Sequence, residues 1–246
     1  MAPYFISMRY IYGPVKSRRL GLSLGISLTA HKVCNFDCVY CQLGKTKEAT
    51  LECGEYLSPQ EVLNEFKSWV ENNPDGAKNL NYVTFSGFGE PTLNSKISQV
   101  ISEIRKLISA HIAVITNASL LSNQDVRRAI LGADLIVPSL DAVDQKVFIK
   151  IDRPGPGIKI EEIINGLISL RKEFHGEIWL EVMLVKGLND NPKHIQALKE
   201  AIDKINPNRI QLNSPVRSTT EKNVLALNKK ELEAIKNIFG DKCEIV

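Results

Sequence analysis

The sequence lacks several features that would assign it to a protein class at once. Its 246 residues contain no stretch of about 20 uninterrupted apolar residues, the length that a membrane-spanning helix needs. The amino terminus, MAPYFISMRYIYG, lacks the basic-then-apolar layout of a signal peptide. The charge is nearly balanced, with 31 basic and 28 acidic residues, so net charge alone does not predict nucleic-acid binding. We therefore expect a soluble, cytoplasmic protein that does not associate with a membrane.

Cysteine is scarce as well. Five cysteines in 246 residues are too few and too clustered for a disulfide framework, and the reducing cytosol would keep them as thiols that can bind metal. The hydrophobic fraction of 43% is enough for a sizeable core. No internal repeat or low-complexity tract divides the chain, so we expect residues 1–246 to form one domain.

Six apolar runs bounded by turn residues predict β-strands, at 22–28, 82–85, 112–115, 135–137, 178–185 and 209–212. Helical periodicity lies between them, at 59–72, 95–109, 124–131, 159–174 and 192–205. The candidate N-caps of these helices are Ser58, Asn94, Asn123 and Asn191. A final helix is predicted over about 229–239, ending at Gly240.

Alternation of strands and helices predicts parallel β–α units, which form either a barrel or a doubly wound sheet. Chemically suggestive residues cluster directly after the predicted strands, at 86–91, 116–119, 139–141 and 213–217. The carboxyl ends of parallel strands lie together, and barrel enzymes place their sites there. The sequence therefore favours an α/β barrel-like arrangement with its site at this end.

The segment of about 29–57 is an unusually long connection that holds four of the five cysteines. Cys34, Cys38 and Cys41 supply three thiolates within eight residues. Soft thiolates select zinc, copper(I) or iron–sulfur clusters, and three of them leave one iron of a four-iron cluster without a protein ligand. An iron with an open position can bind a small chelating molecule.

A structural zinc site with Cys53 as the fourth ligand is the alternative. Zinc sites typically combine two short segments that supply two ligands each, whereas here one segment supplies three ligands and Cys53 stands alone. The spacing favours an iron–sulfur cluster over zinc. The sequence assigns no role to Cys243.

The C-x3-C-x2-C spacing of these cysteines resembles the signature of the radical S-adenosylmethionine (SAM) superfamily. Four further segments carry the resemblance: SGFGEP at 86–91 resembles a G-G-E-P motif, TNAS at 116–119 a T-N-G pattern, SLD at 139–141 an S-x-D segment, and DRP at 152–154 an N-R-P segment. Residues 12–26 and QLNSPVR at 211–217 are similar to small, mainly archaeal members related to the wyosine-base (tRNA) synthases. The likeness covers about residues 13–217.

The resemblance implies a partial (β/α)6 barrel of parallel strands with outer helices. It also implies a 4Fe-4S cluster on Cys34, Cys38 and Cys41, whose open iron binds the amino and carboxylate groups of SAM. The residues expected to contact SAM are Tyr40 at the adenine, Gly87, Gly89 and Glu90 at the amino group, Asn117, the ribose-directed Ser139 and Asp141, Arg153 at the carboxylate or substrate, and Asn213 and Val216 in the wall, with Glu181, Met183 and Gln211 as further candidates.

Each of these residues also has a plain structural interpretation. Glycines can serve a turn, Asn117 and Asp141 can cap helices or form turns, and Tyr40 can be a half-buried loop residue. Arg153 can be a surface arginine, and Met183 can belong to the core. No catalytic side chain is assigned.

Wyosine-base synthases carry additional upstream cysteines for a second cluster. No cysteine precedes Cys34 here, and Cys53 together with Cys243 cannot supply three more ligands. We therefore expect a single cluster, and the resemblance does not extend to the wyosine condensation itself.

The activity that the resemblance implies is reductive cleavage of SAM to a 5'-deoxyadenosyl radical that abstracts a substrate hydrogen. An external reductant such as ferredoxin or flavodoxin is required. The first substrate hypothesis is a tRNA base, with Arg9, Lys16, Arg18 and Arg19 as a phosphate-binding patch near the barrel mouth or, alternatively, a solvated basic stretch. The others are an activase that modifies a partner protein or peptide, and a non-catalytic metal-binding protein.

Overall fold

The computed structural model describes residues 8–47, 49–216 and 219–246. Within these ranges the strands are β1 Ile11–Ser17, β2 Gly21–Ser27, β3 Tyr82–Ser86, β4 His111–Thr116, β5 Leu135–Pro138, β6 Glu177–Met183, β7 Arg209–Asn213 and β8 Cys243–Ile245. The helices are α1 Pro59–Asn72, α2 Pro74–Lys78, α3 Ile97–Leu107, α4 Gln124–Ile130, α5 Gln145–Ile151, α6 Ile160–Glu173, α7 Pro192–Ile205 and α8 Lys229–Phe239, with a short 3-10 helix at Pro91–Leu93. No helix in the described ranges is long and apolar enough to cross a membrane.

The strands form one sheet in the order of the sequence, from β1 to β8. Strand β1 is antiparallel to β2, and every later neighbour pair is parallel. A doubly wound sheet reverses its strand order at a switch point, and this sheet does not. The predicted partial barrel is therefore confirmed, with β2 to β7 as its six core strands and the helices outside.

The six predicted strands and six predicted helices are all present, with ends displaced by at most two residues. Five elements of the described residues were not predicted, among them the 3-10 helix at Pro91–Leu93. Strand β1 carries Gly13 and Pro14, is mostly exposed and shifts register between Tyr12 and Val15, so it shows no alternation. Strand β8 has three residues, and helices α2 and α5 are short. Helix α3 has Lys96 as its N-cap, whereas Asn94 was expected.

Alternate residues of the strands pack into two separate cores. Ile112 and Val114 of β4 belong to the large core between the sheet and the helices. Between them, Ala113 joins a smaller core inside the barrel, and the turn between β1 and β2 adds a buried leucine to it; its members are Leu20, Ala113, Leu135, Val137 and Trp179. The β1–β2 turn thus closes the amino-terminal end of the barrel. That residues 1–246 make a single domain stays a prediction.

The same turn carries a cation into the barrel. Arg19 Nη1 lies 2.5 Å from Glu181 Oε2 on β6 and 3.2 Å from Gln211 Oε1 on β7. The side chains of Arg19 and Glu181 are only 21% and 13% exposed. Arg19 is therefore an internal ion-pair residue that links the hairpin to the far strands.

This position overturns the predicted phosphate patch. Strand β1 runs antiparallel to β2 and Ser17 pairs with Gly21, so Lys16, Arg18 and Arg19 lie at the amino end of β2, opposite the barrel mouth. Ile11 pairs with Ile26 near the carboxyl end of β2, which leaves exposed Arg9 at the mouth. The four basic residues do not form one surface because the hairpin separates them along the barrel axis.

We predict that Arg19→Met destabilises the fold by about 1–3 kcal/mol, because it leaves the largely buried Glu181 carboxylate without its cation. Urea unfolding at pH 7 measures this change. Arg18→Met, in the same turn, is the control and is expected to change the unfolding free energy by less than about 0.5 kcal/mol. Equal effects of the two substitutions would contradict the internal ion pair.

Candidate active site

The long connection after β2 lies at the carboxyl ends of the strands and is held there by backbone hydrogen bonds. Val33 N donates to Phe88 O and Glu90 N donates to Val33 O, each at 3.0 Å. Asp37 N donates to Asp152 O at 3.1 Å. In its described residues, which exclude residue 48, this connection forms isolated bridges and no strand or α-helix. It therefore takes its shape from the barrel mouth.

Three of the four cysteines of this loop, Cys34, Cys38 and Cys41, are half-buried, free thiols. Cys34 Sγ accepts from Phe36 N at 3.4 Å and from Asn117 Nδ2 at 3.6 Å. Cys38 Sγ donates to Asp152 Oδ1 at 3.5 Å. Burial raises the pKa of Cys34 to about 11 and the pKa of Cys38 well above its usual value. Both thiols therefore stay protonated without metal, and ligation must displace their protons.

The donor set fits an iron–sulfur cluster better than zinc. A thiolate at Cys41 would raise the pKa of Cys34, and a thiolate at Cys34 would raise the pKa of Cys38, so the three sulfurs are neighbours. Yet in the described ranges no three His, Cys, Asp or Glu side chains converge on one ion position. The cysteines of a cluster bind different irons, whereas the four ligands of a tetrahedral zinc site must all meet at a single ion. Cys53, the proposed fourth zinc ligand, is exposed.

The glycine turn after β3 packs directly against the cysteine loop. Gly87 and Gly89 have positive φ angles of 100° and 141°. A Cβ on Gly89 would lie 1.8 Å from the carbonyl oxygen of Val33, so no side chain fits there. The proposed role of these glycines at the SAM amino group stays a prediction, and their backbone contacts already require glycine at position 89.

Glu90 is buried and its carboxylate is fully used within the protein. Oε1 accepts from Thr92 N at 3.1 Å and from the hydroxyls of Thr92 and Thr116 at 2.6 Å. Oε2 accepts from Asn117 N at 2.7 Å. Burial raises the pKa of Glu90, while these hydrogen bonds oppose the rise. In this arrangement Glu90 ties the glycine turn to the segment after β4.

Four of the residues predicted to contact SAM lie together beside Cys38. Tyr40, Asn117, Ser139 and Asp141 line one recess, together with Phe36 and Asp152. The Tyr40 hydroxyl donates to Asp141 Oδ2, and it lies 3.4 Å from Asp152 Oδ1. Met183 N donates to Asp141 Oδ1 at 2.8 Å. The remaining walls of this small recess are the apolar side chains Leu140, Phe148, Ile160 and Ile163. Polar residues from the cysteine loop and from the ends of β4 and β5 thus meet apolar residues of α5 and α6 there.

The two carboxyl groups of this recess are buried close to each other. Burial raises the pKa of Asp141 to about 7. Burial, followed by the Asp141 charge, raises the pKa of Asp152 well above its usual value. Burial also raises the pKa of Tyr40, so its hydroxyl stays a neutral donor. The pair binds protons far more readily than exposed carboxyls do.

The remaining predicted contacts lie outside this recess. Arg153 has a φ of 46°, and its Nη1 lies 2.7 Å from Glu221 Oε1 and 3.8 Å from Asp37 Oδ2. Asn213 Nδ2 is 3.4 Å from Glu181 Oε1, inside the barrel. Val216 is 67% exposed, and residue 217 lies outside the described residues. Contacts of these three residues with SAM stay predictions.

Three residues at the site had no predicted role. Lys32 and Asp152 contact cysteines of the loop, and Asn35 contacts Asn117. Asn35 is fully buried, donates to Ser119 Oγ at 2.6 Å and accepts from Asn117 Nδ2 at 2.7 Å. Lys32 Nζ lies 3.3 Å from Cys41 Sγ. The position of Asn35 between Cys34 and Cys38 could have marked it as a candidate site residue. Asp152 was assigned only to a turn.

Comparison with known proteins identifies the family. The model of the radical SAM superfamily matches residues 29–198, which include the cysteine loop and the strand ends β3 to β6. The chain belongs to this superfamily. It is a radical SAM enzyme, and its cofactors are a 4Fe-4S cluster and SAM.

Relatives cover nearly the whole chain. A protein of Brachyspira hyodysenteriae named GTPase Obg is 40% identical over 98% of this chain, which spans 35% of that protein. A UPF0026 protein of Methanocaldococcus jannaschii is 37% identical over 95% of this chain and 72% of its own length. Among solved structures, TYW1 with a lysine–pyruvate adduct bound shares the fold, with a TM-score of 0.65 and 20% identity over 88% of this chain and 72% of that one.

We predict that serine at position 34, 38 or 41 abolishes cluster assembly, because each substitution removes one of three thiolate ligands. Iron and sulfide content after anaerobic reconstitution measures this loss. Cys53→Ser and Cys243→Ser are the controls and are expected to keep the cluster. Loss of the cluster in Cys53→Ser would instead support Cys53 as a ligand.

We predict that the buried Asp141 makes the metal-free protein less stable as pH rises. A carboxyl group whose pKa is raised on folding binds protons more tightly when folded, so its contribution is present at low pH and is lost as pH rises towards about 7. Asp141→Asn should reduce the drop in unfolding free energy between pH 5 and pH 8, by on the order of 1–2 kcal/mol. The exposed N-cap variant Asp144→Asn is the control; identical pH profiles for wild type and Asp141→Asn would contradict this assignment.

Proposed function

We propose that this enzyme cleaves SAM reductively and uses the resulting radical to modify a base in RNA. The observation that carries the proposal is the recess beside Cys38, where Tyr40, Asn117, Ser139 and Asp141 meet at the carboxyl ends of the strands. When bound, the cluster and SAM supply a 5'-deoxyadenosyl radical that abstracts a hydrogen atom from the substrate. The remaining work of the protein is binding, orientation and exclusion of water.

The cysteines and the side chains of the recess have different roles in this proposal. Cys34, Cys38 and Cys41 hold the cluster at one edge. Asp141 fixes the Tyr40 hydroxyl and is itself fixed by Met183 N, so the aromatic ring and the carboxyl group have defined positions for a nucleoside. Asn117 extends an amide from the segment that Glu90 anchors. Side chains whose positions are fixed in this way lower the cost of orienting a bound nucleoside.

The electron donor in this proposal is ferredoxin or flavodoxin. The superfamily requires an external one-electron reductant. The three cluster ligands are free thiols, and a reducing compartment preserves thiols. We therefore propose that the reaction takes place in the cytoplasm.

Basic residues at the barrel mouth and the sequence resemblance to the wyosine-base (tRNA) synthases support RNA as the substrate. Arg9 precedes β1 at the mouth end, and Lys45 and Lys47 are exposed on the cysteine loop. Lysine and arginine near a mouth can bind the phosphates that flank a target base. The proposed reaction uses the cluster held by Cys34, Cys38 and Cys41 and differs from the wyosine condensation.

We predict that tRNA stimulates 5'-deoxyadenosine formation by the reconstituted, reduced enzyme, and that mass spectrometry of digested tRNA reveals a modified nucleoside. The reaction is run with SAM and reduced flavodoxin, using tRNA from cells that lack this enzyme. Cys38→Ser should form neither product.

A matched pair of charge reversals makes the RNA test specific. Arg9→Glu combined with Lys45→Glu and Lys47→Glu should abolish stimulation by tRNA and leave the basal formation of 5'-deoxyadenosine intact. Lys16→Glu with Arg18→Glu, at the opposite end of the barrel, should leave stimulation unchanged. Basal product without any response to tRNA would retain the radical chemistry and reject RNA in favour of another substrate, such as a protein or peptide.

A further inference from the structure

Lys32 makes a contact with a cluster ligand that the proposed function does not use. Its Nζ atom lies 3.3 Å from Cys41 Sγ, and it also donates to the carbonyl oxygen of Gly44. The side chain is half-buried, and its charge also acts on Cys34. One ammonium group is therefore directed at two of the three cluster ligands from within the same loop.

The surroundings of the three sulfurs are electrostatically unequal. Cys34 receives neutral N–H donors from Phe36 and Asn117. Cys38 faces the carboxyl group of Asp152 at 3.5 Å. Among the side chains that the structure describes, Lys32 is the cation within hydrogen-bond reach of a cluster ligand. The positive charge is thus concentrated at the Cys41 side.

We propose that Lys32 raises the reduction potential of the cluster and so makes its reduction by a biological one-electron donor easier. Reduction adds one negative charge to the cluster. A fixed positive charge and an N–H···S hydrogen bond stabilise this added charge more than they stabilise the oxidised cluster. Hydrogen bonds to ligand sulfurs and nearby charges are established controls on cluster potentials.

The bond to Gly44 gives Lys32 a second role in shaping the loop, so the test must separate charge from structure. Lys32→Met removes the charge and both hydrogen bonds. Lys32→Gln keeps an N–H donor without the charge, and Lys32→Arg keeps the charge. Lys45→Met is the matched control, because it removes one positive charge from the same loop at a side chain that is 69% exposed and pairs with Glu221.

The experiment is a redox titration of each reconstituted holoenzyme without SAM, followed by the EPR signal of the reduced cluster. Lys32→Met and Lys32→Gln should shift the midpoint to a more negative potential, so that the ratio of reduced to oxidised cluster at a fixed poise falls by about tenfold. Lys32→Arg and Lys45→Met should stay near the wild type. Basal 5'-deoxyadenosine formation in Lys32→Met and Lys32→Gln should fall more with flavodoxin than with a stronger chemical reductant.

Unchanged midpoints in Lys32→Met and Lys32→Gln, at full iron content, would overturn the proposal. Failure of both neutral variants to assemble a cluster, with assembly retained in Lys32→Arg, would also overturn it, since Lys32 would then serve assembly. Neither result depends on the substrate, so this test is separate from that of RNA modification. It rests only on the cluster being held by Cys34, Cys38 and Cys41.

Discussion

The close backbone contact between the cysteine loop and the glycine turn is the constraint on which the site depends. Val33 and Gly89 approach so closely that a Cβ on Gly89 would overlap the Val33 carbonyl, and two backbone hydrogen bonds close the contact. Val33 directly precedes the first cluster ligand, while Glu90 directly follows the glycine. The carboxylate of Glu90 then reaches Thr116 and Asn117 after the next strand. One contact thus fixes the loop, the turn and the neighbouring strand end relative to each other.

Electrostatics at the site follow from this enclosure. Loops that cover the barrel mouth bury Tyr40, Asp141 and Asp152 beside Cys38, and burial raises the pKa of all three. The carboxyl groups of the recess are therefore protonated to a greater extent at neutral pH than free carboxyl groups would be. Lys32 adds the opposite sign at the Cys41 edge. Carboxyl groups thus lie beside Cys38, and a positive charge lies beside Cys41.

Much of the fold could be predicted because its signals are local. Buried parallel strands give short apolar runs, and helices such as α1 and α7 begin with a proline behind a polar residue. Strand β1 was not predicted, because its residues are mostly exposed and its register with β2 shifts. The position of β1 also explains why the predicted phosphate patch does not form. Because β1 is antiparallel to β2, the turn between them carries Arg19 into the amino-terminal end of the barrel. A pairing between distant segments of this kind has no local signal.

The site was predictable to the extent that a motif carried it. Spacing identified the three cysteines, and residues after the strands identified the recess. Spacing could not identify Asp152, which meets the cysteine loop through tertiary contacts such as the hydrogen bond from Asp37 N to its carbonyl oxygen. It also could not reveal that Arg153 pairs with Glu221, a residue 68 positions away.

We expect three cysteines to leave one cluster iron open for SAM beside the recess. This arrangement is tested by EPR of the reduced, reconstituted enzyme, with and without SAM labelled with magnetic isotopes in its amino and carboxylate groups. If SAM binds the open iron, it changes the cluster signal and the labels couple to it. A cluster whose signal is identical with and without saturating SAM would contradict it.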